Sequence, residues 1–486
     1  MRADGLTSAC SDPAIELASI VAAWSNRPVS VAKSIADTIT EQLGHFVIDT
    51  RPQDLSEQAV EHAAMIIAST LASAALGRNI DSARIIRAIE VERGGRPDAS
   101  VWFEAGPKLP VAGAARSNAL MSDAAASDDS DLRNIVHCGT PLTATALAVA
   151  EKTGASGQDV LAAIVLGYEA AGRIGEAIIP RFNHRGHHGC MGATFGATVA
   201  AARLYGLDAE QTAHAIALTA TSIGGLAKAA NTSVAREYHA GLATMLGIEA
   251  VQAAQRGFTA ELAILEMERG FCQLFGGPEA DAAGITRDLG RDWDIVTDMA
   301  IKLMPGGHPY HAFAEAAANA ARQGNISPGE ITAIIVSRPG LIRLSGPLHP
   351  KDLIDMAHSP AYFAAAGARD KRFGWEHASP AKIADPVIHA LIDMVRVGPV
   401  PTENVAAYRQ GATVRIETTD GRALTNTVLV PKGAACLGLD WAGIEAKYRA
   451  LAAHAPQPLA KIEASLTAIR ALRSGDGVAA VIDHLR

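Results

Sequence analysis

The stretch from Arg185 to Gly196, Arg-Gly-His-His-Gly-Cys-Met-Gly-Ala-Thr-Phe-Gly, sets two imidazoles between glycines at the entry to an alanine-rich, helix-forming segment. Imidazole gains and loses a proton near neutral pH, and glycine lets backbone come close to a ligand. His187 and His188 are therefore candidate acid–base groups; an inert, solvent-exposed loop is the ordinary alternative. His137 stands in Val-His-Cys-Gly-Thr-Pro just after Asp128-Asp129-Ser130-Asp131. That order can gather carboxylate, hydroxyl and imidazole at a helix start. The plain reading of the acidic run is helix capping or a solvated face.

Two later segments repeat the theme with cations. Arg236-Glu237-Tyr238-His239-Ala240-Gly241 opens a helix, which would aim a guanidinium, an imidazole and helix-end amides at a carboxylate. A surface Arg–Glu pair is its ordinary alternative. Lys302, followed by Met304-Pro305-Gly306-Gly307-His308-Pro309-Tyr310-His311, again places a cation and imidazoles on bent backbone. His308 and His311 have a metal-ligand spacing, but no Glu-x-x-His or His-Glu-x-x-His partner accompanies them, and no metal is expected. With no Gly-x-Ser-x-Gly elbow, no Walker A sequence and no strand-linked Gly-x-Gly-x-x-Gly, serine-hydrolase and nucleotide-binding readings have no anchor.

The elements that must position these groups are mostly helical. Apolar residues recur at three and four from Ile15 to about Gly77, and a polar, glycine-containing stretch follows from Arg78 to Lys108. A small-residue helix begins at Pro110 to Ala119 and is interrupted by the acidic run Ser122 to Asn134. Helices resume at Leu142 to Glu151, Gly157 to Ile179, Ala193 to Tyr205, Ala209 to Ser222 and Ala240 to Gln255. Past Gly290 the pattern changes. Ile331 to Arg338 and Ala412 to Thr418 alternate as half-buried strands do, and Asp420-Gly421 predicts a hairpin turn into Thr425 to Val430. With helices at Ala312 to Arg322 and Ala384 to Val395, this part reads as α+β. Trp441 to Arg486 returns to alanine-rich helix and is expected to pack back on the first part. The fold class is thus mainly α: a helical domain of residues 1–290 completed by 435–486, with a smaller α+β domain, an insertion or lid, at 291–434.

Composition narrows the function. The 486 residues are 49% hydrophobic and 19% charged, which fits closely packed helices in two or three domains. A net charge of -8 without basic, aromatic-interleaved runs argues against nucleic acid as a partner. The five cysteines (Cys10, Cys138, Cys190, Cys272, Cys436) are scattered with no Cys-x-x-Cys, so neither a disulfide framework nor a zinc knuckle is expected, and a reducing cytoplasm fits. Met1 to Pro13 lacks the features of a secretory signal, and no uncharged apolar stretch of about 18 residues follows, so no membrane partner is expected.

Taken in order, these segments resemble the MmgE/PrpD family, which includes 2-methylcitrate dehydratase, cis-aconitate decarboxylase and iminodisuccinate epimerase. Asn118 through Asp128-Asp129-Ser130 to His137 is similar to the family's Asn-Gly…Asp-Phe-Asp-Asp-Thr…His-Pro segment. Gly186-His187 through Thr194-Phe195-Gly196 resembles Gly-Phe-His-Pro-Thr-Gly…Thr-Phe-Gly. Arg236 to Gly241 resembles Lys-x-x-His-x-Gly, and Lys302 to Pro305 resembles Lys-x-Tyr-Pro. Ser359-Pro360-Ala361-Tyr362, Asp385-Pro386 and Asp420-Gly421-Arg422 correspond to later landmarks. The resemblance spans most of the chain. It implies a helical domain and an α+β lid with a pocket between them, a homodimer, and cofactor-free chemistry on a small di- or tricarboxylate.

The departures bear on which chemistry. Ala126 stands where the family's first cluster aspartate would be, Ser130 replaces a threonine and Arg236 a lysine. Gly307 falls at or next to a histidine of the decarboxylase branch, with His308 adjacent. Arginine grips carboxylates but does not readily release a proton. The expected reaction removes a proton from carbon next to a carboxylate, with His187 as base, His137 or Ser130 as acid or relay, and Asp129 tuning the imidazole. Arg236, Lys302, His188, His239 and His308 would hold the substrate. A dehydratase-type lyase is the leading expectation, with an epimerase or decarboxylase as alternatives and a non-catalytic carboxylate binder as the rival class.

Overall fold

Two apolar cores organise the described residues, 37–180, 185–475 and 477–486 of a computed structural model. The part of the first helical reading that precedes residue 37, and Cys10 with it, lies outside them. In the first core, α1 (Glu57–Gly77) begins at Ser56, whose hydroxyl accepts the Ala59 amide N–H. It packs on α2 (Val111–Ala124). Around them lie α3 (Gly139–Thr153), α4 (Gly157–Ile178), α5 (Cys190–Leu204), α6 (Ala209–Ser222) and α7 (Ala235–Ala254).

Small residues let these helices touch backbone to backbone. A Cβ on Gly196 of α5 would lie 2.8 Å from the Gly167 carbonyl oxygen of α4, and one on Gly247 of α7 would lie 2.9 Å from the Thr198 amide of α5. Among the described residues, α1 is long and apolar enough to cross a membrane, but 83% of its apolar window is buried inside the fold.

A short antiparallel ribbon joins β1 (Asp129–Asp131) to β2 (Met299–Ile301), with Ser130 opposite Ala300. No local pattern marks it, because three residues are too few for an alternation to register. The second core lies between α8 (His308–Gln323) and α9 (Pro360–Asp370) on one side and a four-stranded sheet on the other. The sheet order is β4 (Val395–Val397), β3 (Ile331–Ser337), β5 (Ala412–Thr418), β6 (Ala423–Val428), with β4 parallel to β3 and the other pairs antiparallel. The Asp420-Gly421 turn forms the expected hairpin, Gly421 adopting φ +81°. The C-terminal helices Trp441–Ala452, Leu459–Ala471 and Ala479–Leu485 bury Ile444, Leu451, Ile469 and Val481 in the first core.

Several boundaries differ from the sequence reading. A helix at Asp81–Arg93 occupies the stretch read as irregular; only Ala83, Ile86 and Glu90 are buried along it, too narrow a stripe to stand out. The helix expected over Ala384 to Val395 is only Pro386–Ile392, and its end becomes β4. The helix expected to start at Ala193 starts at Cys190, and the one expected at Ala240 starts at Ala235. The last two changes place Cys190, Arg236 and His239 in opening helical turns.

Candidate active site

The ribbon carries the centre of the site. Asp128 is fully buried; its Oδ1 accepts from Lys302 Nζ at 2.6 Å, and its carbonyl accepts the Lys302 amide N–H at 3.0 Å. The ammonium is itself 1% exposed, so the two charges stabilise each other where neither is solvated. One of the three ammonium donors serves Asp128 Oδ1, leaving the others for a ligand. His137 completes the group: its Nδ1 donates to the Asp129 carbonyl at 2.6 Å and lies 2.8 Å from Asp128 Oδ2. A carbonyl oxygen only accepts, so Nδ1 carries the proton and Nε2 is the atom left for proton transfer.

Electrostatics follow from this packing. Burial pushes the Asp128 carboxyl up, but Lys302, His137 and Arg236 together hold it well below the usual carboxylate range. Burial pushes His137 down, and Asp128 more than offsets that, so the imidazole ends above its ordinary value against the opposing charge of Lys302. Asp129 faces elsewhere. Its Oδ1 accepts the Gly139 amide N–H at 2.8 Å at the start of α3, and burial plus the neighbouring Asp128 charge push it up to about 6. The expected tuning role thus belongs to the Asp128 carboxylate, while Asp129 contributes its carbonyl to His137.

Ser130 Oγ meets His308 Nδ1 at 2.9 Å, both residues buried. Burial, then His311, Lys302 and His137, keep His308 well below its ordinary value, so it is neutral. Its Nε2 has no hydrogen-bond partner among the described residues. His311 lies behind it at 4.8 Å between ring centroids, and burial with the Lys302 charge brings it down to about 3.

The glycine-flanked pair divides. The His188 ring stacks on His137 at 6.2 Å and approaches His239 at 5.3 Å. The His187 ring, 6% exposed, packs edge-on against Phe275 at 5.7 Å. The structure thus brings together His137, His188, His239, Ser130, His308, Lys302 and Arg236 around Asp128, and turns His187 toward an aromatic cluster. Setting Gly186 on the first glycine of Gly-Phe-His-Pro-Thr-Gly would have found this, since His187 then falls on the phenylalanine and His188 on the histidine.

Arg236 is partly engaged already. Its Nε lies 3.0 Å from Asp123 Oδ2 and its Nη2 donates to the Asp123 carbonyl. It lines a cavity of about 330 Å³ with Ala126, Ala230, Glu237, Leu353 and His358, where the first core meets residues 352–358. His358 was missed from sequence. Burial lowers its pKa, and Arg236, Lys302 and His137 lower it further, so the cavity shares a field with the polar group. Lys447 was also missed, being one lysine in an alanine-rich helix. It is 2% exposed, with Nζ donating to Ser69 Oγ at 2.7 Å and to the Ser127 carbonyl beneath Asp128.

Comparison with known families covers most of the chain. Residues 41–282 match the MmgE/PrpD N-terminal domain and residues 304–468 the MmgE/PrpD C-terminal domain. The chain is 23% identical over 427 residues to a cis-aconitate decarboxylase-like protein of Aspergillus oryzae, covering 81% of this chain and 86% of that protein. It is 24% identical over 387 residues to the human cis-aconitate decarboxylase, covering 76% and 78%. Against the Aspergillus terreus cis-aconitate decarboxylase it is 26% identical over 281 residues, 54% of this chain and 56% of that protein.

Proposed function

The chain belongs to the MmgE/PrpD family, and from that premise we propose that it is a lyase acting on a small di- or tricarboxylate by removing a proton from carbon next to a carboxylate. The observation that carries the reading is the buried Asp128, which pairs with a cation at Oδ1 and faces an imidazole at Oδ2. Lys302 and Arg236 would bind substrate carboxylates and offset the charge of the enediolate-like intermediate, each such donor contributing a few kcal/mol. The base role passes from His187 to His137, whose Nε2 is left open. Ser130 with His308 forms a second proton-handling pair, suited to returning a proton or assisting a leaving group. His188 and His239 extend the polar wall next to His137. The step uses side chains alone: a C–H bond breaks, the proton passes to His137 Nε2, and the electron pair spreads onto the carboxylate.

Expulsion of a β-hydroxyl by that electron pair gives a dehydratase-type lyase; in a decarboxylase the C–C bond to a carboxylate breaks instead, carbon dioxide leaves its electron pair on carbon, and an acid delivers a proton there. The decarboxylases named among the relatives support a lyase outcome. Return of the proton to the opposite face gives an epimerase. Two separate proton-handling pairs, His137 beside Asp128 and His308 beside Ser130, support this second reading.

The test is proton NMR in heavy water with a panel of citrate isomers, aconitates, tartrates and aminodicarboxylates. A lyase shows deuterium entering next to a carboxylate together with a new unsaturated or decarboxylated product. An epimerase shows exchange and inverted substrate without such a product. Binding with neither exchange nor turnover across the panel would overturn the enzymatic reading in favour of a carboxylate binder.

A further inference from the structure

Beside the acid–base group, and sharing His188 and His239 with its polar wall, lies a second constellation. His188 and Cys190 flank Gly189 at the start of α5, and His239 sits in the opening turns of α7. Each offers one donor atom, and the three atoms lie within 4.8 Å of one another. We propose that His188, Cys190 and His239 form a binding site for a thiophilic divalent cation of the zinc class.

Three observations carry this beyond proximity. The first is the donor set: one thiol and two imidazoles suit zinc or cobalt and do not suit magnesium or calcium, which prefer oxygen. The second is His239 Nδ1, a buried atom with no hydrogen-bond partner among the described residues. A buried polar nitrogen without a partner is costly, and a cation would supply one. The third is the space at Gly225. A Cβ there would lie 3.1 Å from Cys190 Sγ, 3.5 Å from His239 Nδ1 and 3.6 Å from His188 Cβ. Glycine, here at φ +148°, thus leaves a hollow where the three side chains converge.

The geometry needs only a small closure. Tetrahedral bonds of about 2.0 Å to nitrogen and about 2.3 Å to sulfur set donors roughly 3.3 to 3.6 Å apart, so the ion draws the three atoms inward by about an ångström. His188 Nδ1 already faces residue 190, accepting the Cys190 amide N–H at 3.3 Å, a long bond that a cation readily replaces. Binding releases one proton: Cys190–SH and the divalent ion give a thiolate–metal bond and H⁺. Three protein ligands leave a fourth position for water or a ligand carboxylate. Because His188 stacks on His137, the occupied site would sit against the proton-transfer group and withdraw His188 and His239 from the substrate.

The experiment reads binding directly and so does not depend on the proposed activity. Chelator-stripped protein is titrated with cobalt(II). The site predicts about one ion per chain, a near-ultraviolet thiolate-to-cobalt band with tetrahedral visible bands, loss of both on adding zinc, and a raised Tm. Cys190→Ser keeps the native circular dichroism and loses the thiolate band. His239→Asn weakens binding by more than the roughly 10- to 100-fold that an outer-shell partner is worth. Absence of any thiolate band in the wild type overturns the site. So does an unchanged band in Cys190→Ser or, where that variant does not fold, unchanged affinity in His239→Asn.

Discussion

Asp128 and Ser130 turn toward Lys302, His137 and His308, while Asp129 and Asp131, their neighbours in the same run, turn toward the start of α3 and toward Arg133. The alternation is the pleat of an extended segment, which sends successive side chains to opposite faces. One face gathers groups placed to act on a ligand: an ammonium with donors to offer, His137 Nε2, and His308 Nε2, which has no hydrogen-bond partner among the described residues. The other face is held by ion pairs and a helix start. Arg133 meets Asp131 at 3.1 Å, Glu176 at 2.9 Å and Asp298 at 3.4 Å, and also contacts Asp294, while Arg409 adds a second cation to Asp298. Four consecutive polar residues therefore divide into a reactive half and a structural half. The partners each side chain meets, more than charge, distinguish them.

The largest effect expected from breaking this contrast is on the ion-paired face. Arg133→Met strips the shared cation from Asp131 and Asp294, and stranding buried carboxylates costs about 3–5 kcal/mol. Urea unfolding should show that loss while proton exchange per folded molecule is kept; an exchange rate that falls with stability would erase the division. On the reactive face the pattern reverses. His137→Gln should slow exchange by roughly 10²–10⁴-fold, the usual worth of a positioned acid–base group, with an unfolding midpoint close to wild type.

A smaller effect is expected at the second pair. Ser130→Ala leaves His308 Nδ1 without its hydroxyl, which costs about 1–3 kcal/mol of stability. It should also change the ratio of exchange to product formation measured by NMR, whereas an unchanged ratio would remove Ser130 from proton handling. The histidine pair gives a further contrast. His188→Gln should lower exchange more than His187→Gln, because only the former ring stacks on His137; the reverse order would restore His187 as the base.

The smallest effect is a pH slope. Asp129 has a native pKa of about 6 against an ordinary 3.8. The native state therefore holds more protons than the unfolded chain between those values, and the carboxyl stabilises at low pH and loses that contribution as pH rises through about 6. Asp129→Asn keeps an oxygen for the Gly139 amide and removes the titration. Relative to the variant, wild-type stability should fall between about pH 4 and pH 6 and then level off. Parallel unfolding curves across that window would show that the carboxyl is not perturbed.

Much of the frame was legible beforehand. The helices of the first core, three of the sheet's strands and the Asp420-Gly421 turn rest on local periodicity and turn chemistry, which the chain carries in itself. The sequence also marked the right segments for the site, since glycine next to histidine and cation is conspicuous at any distance. It did not reveal partners. Asp128 and Lys302 are 174 positions apart and Ser130 and His308 are 178 apart. Lys447 and His358 carry no local signature, their importance coming entirely from what surrounds them.

The amino-acid sequence alone determined the helical character, the change to β structure past residue 290 and the chemical inventory of the site, because these depend on residue type and short spacing. Only the tertiary structure decided which of two adjacent histidines reaches His137, which aspartate meets the lysine and which merely caps a helix. A one-residue change of facing reverses each of those assignments. The facing is set by a three-residue strand pairing with another some 170 residues away and by the packing of helices on either side.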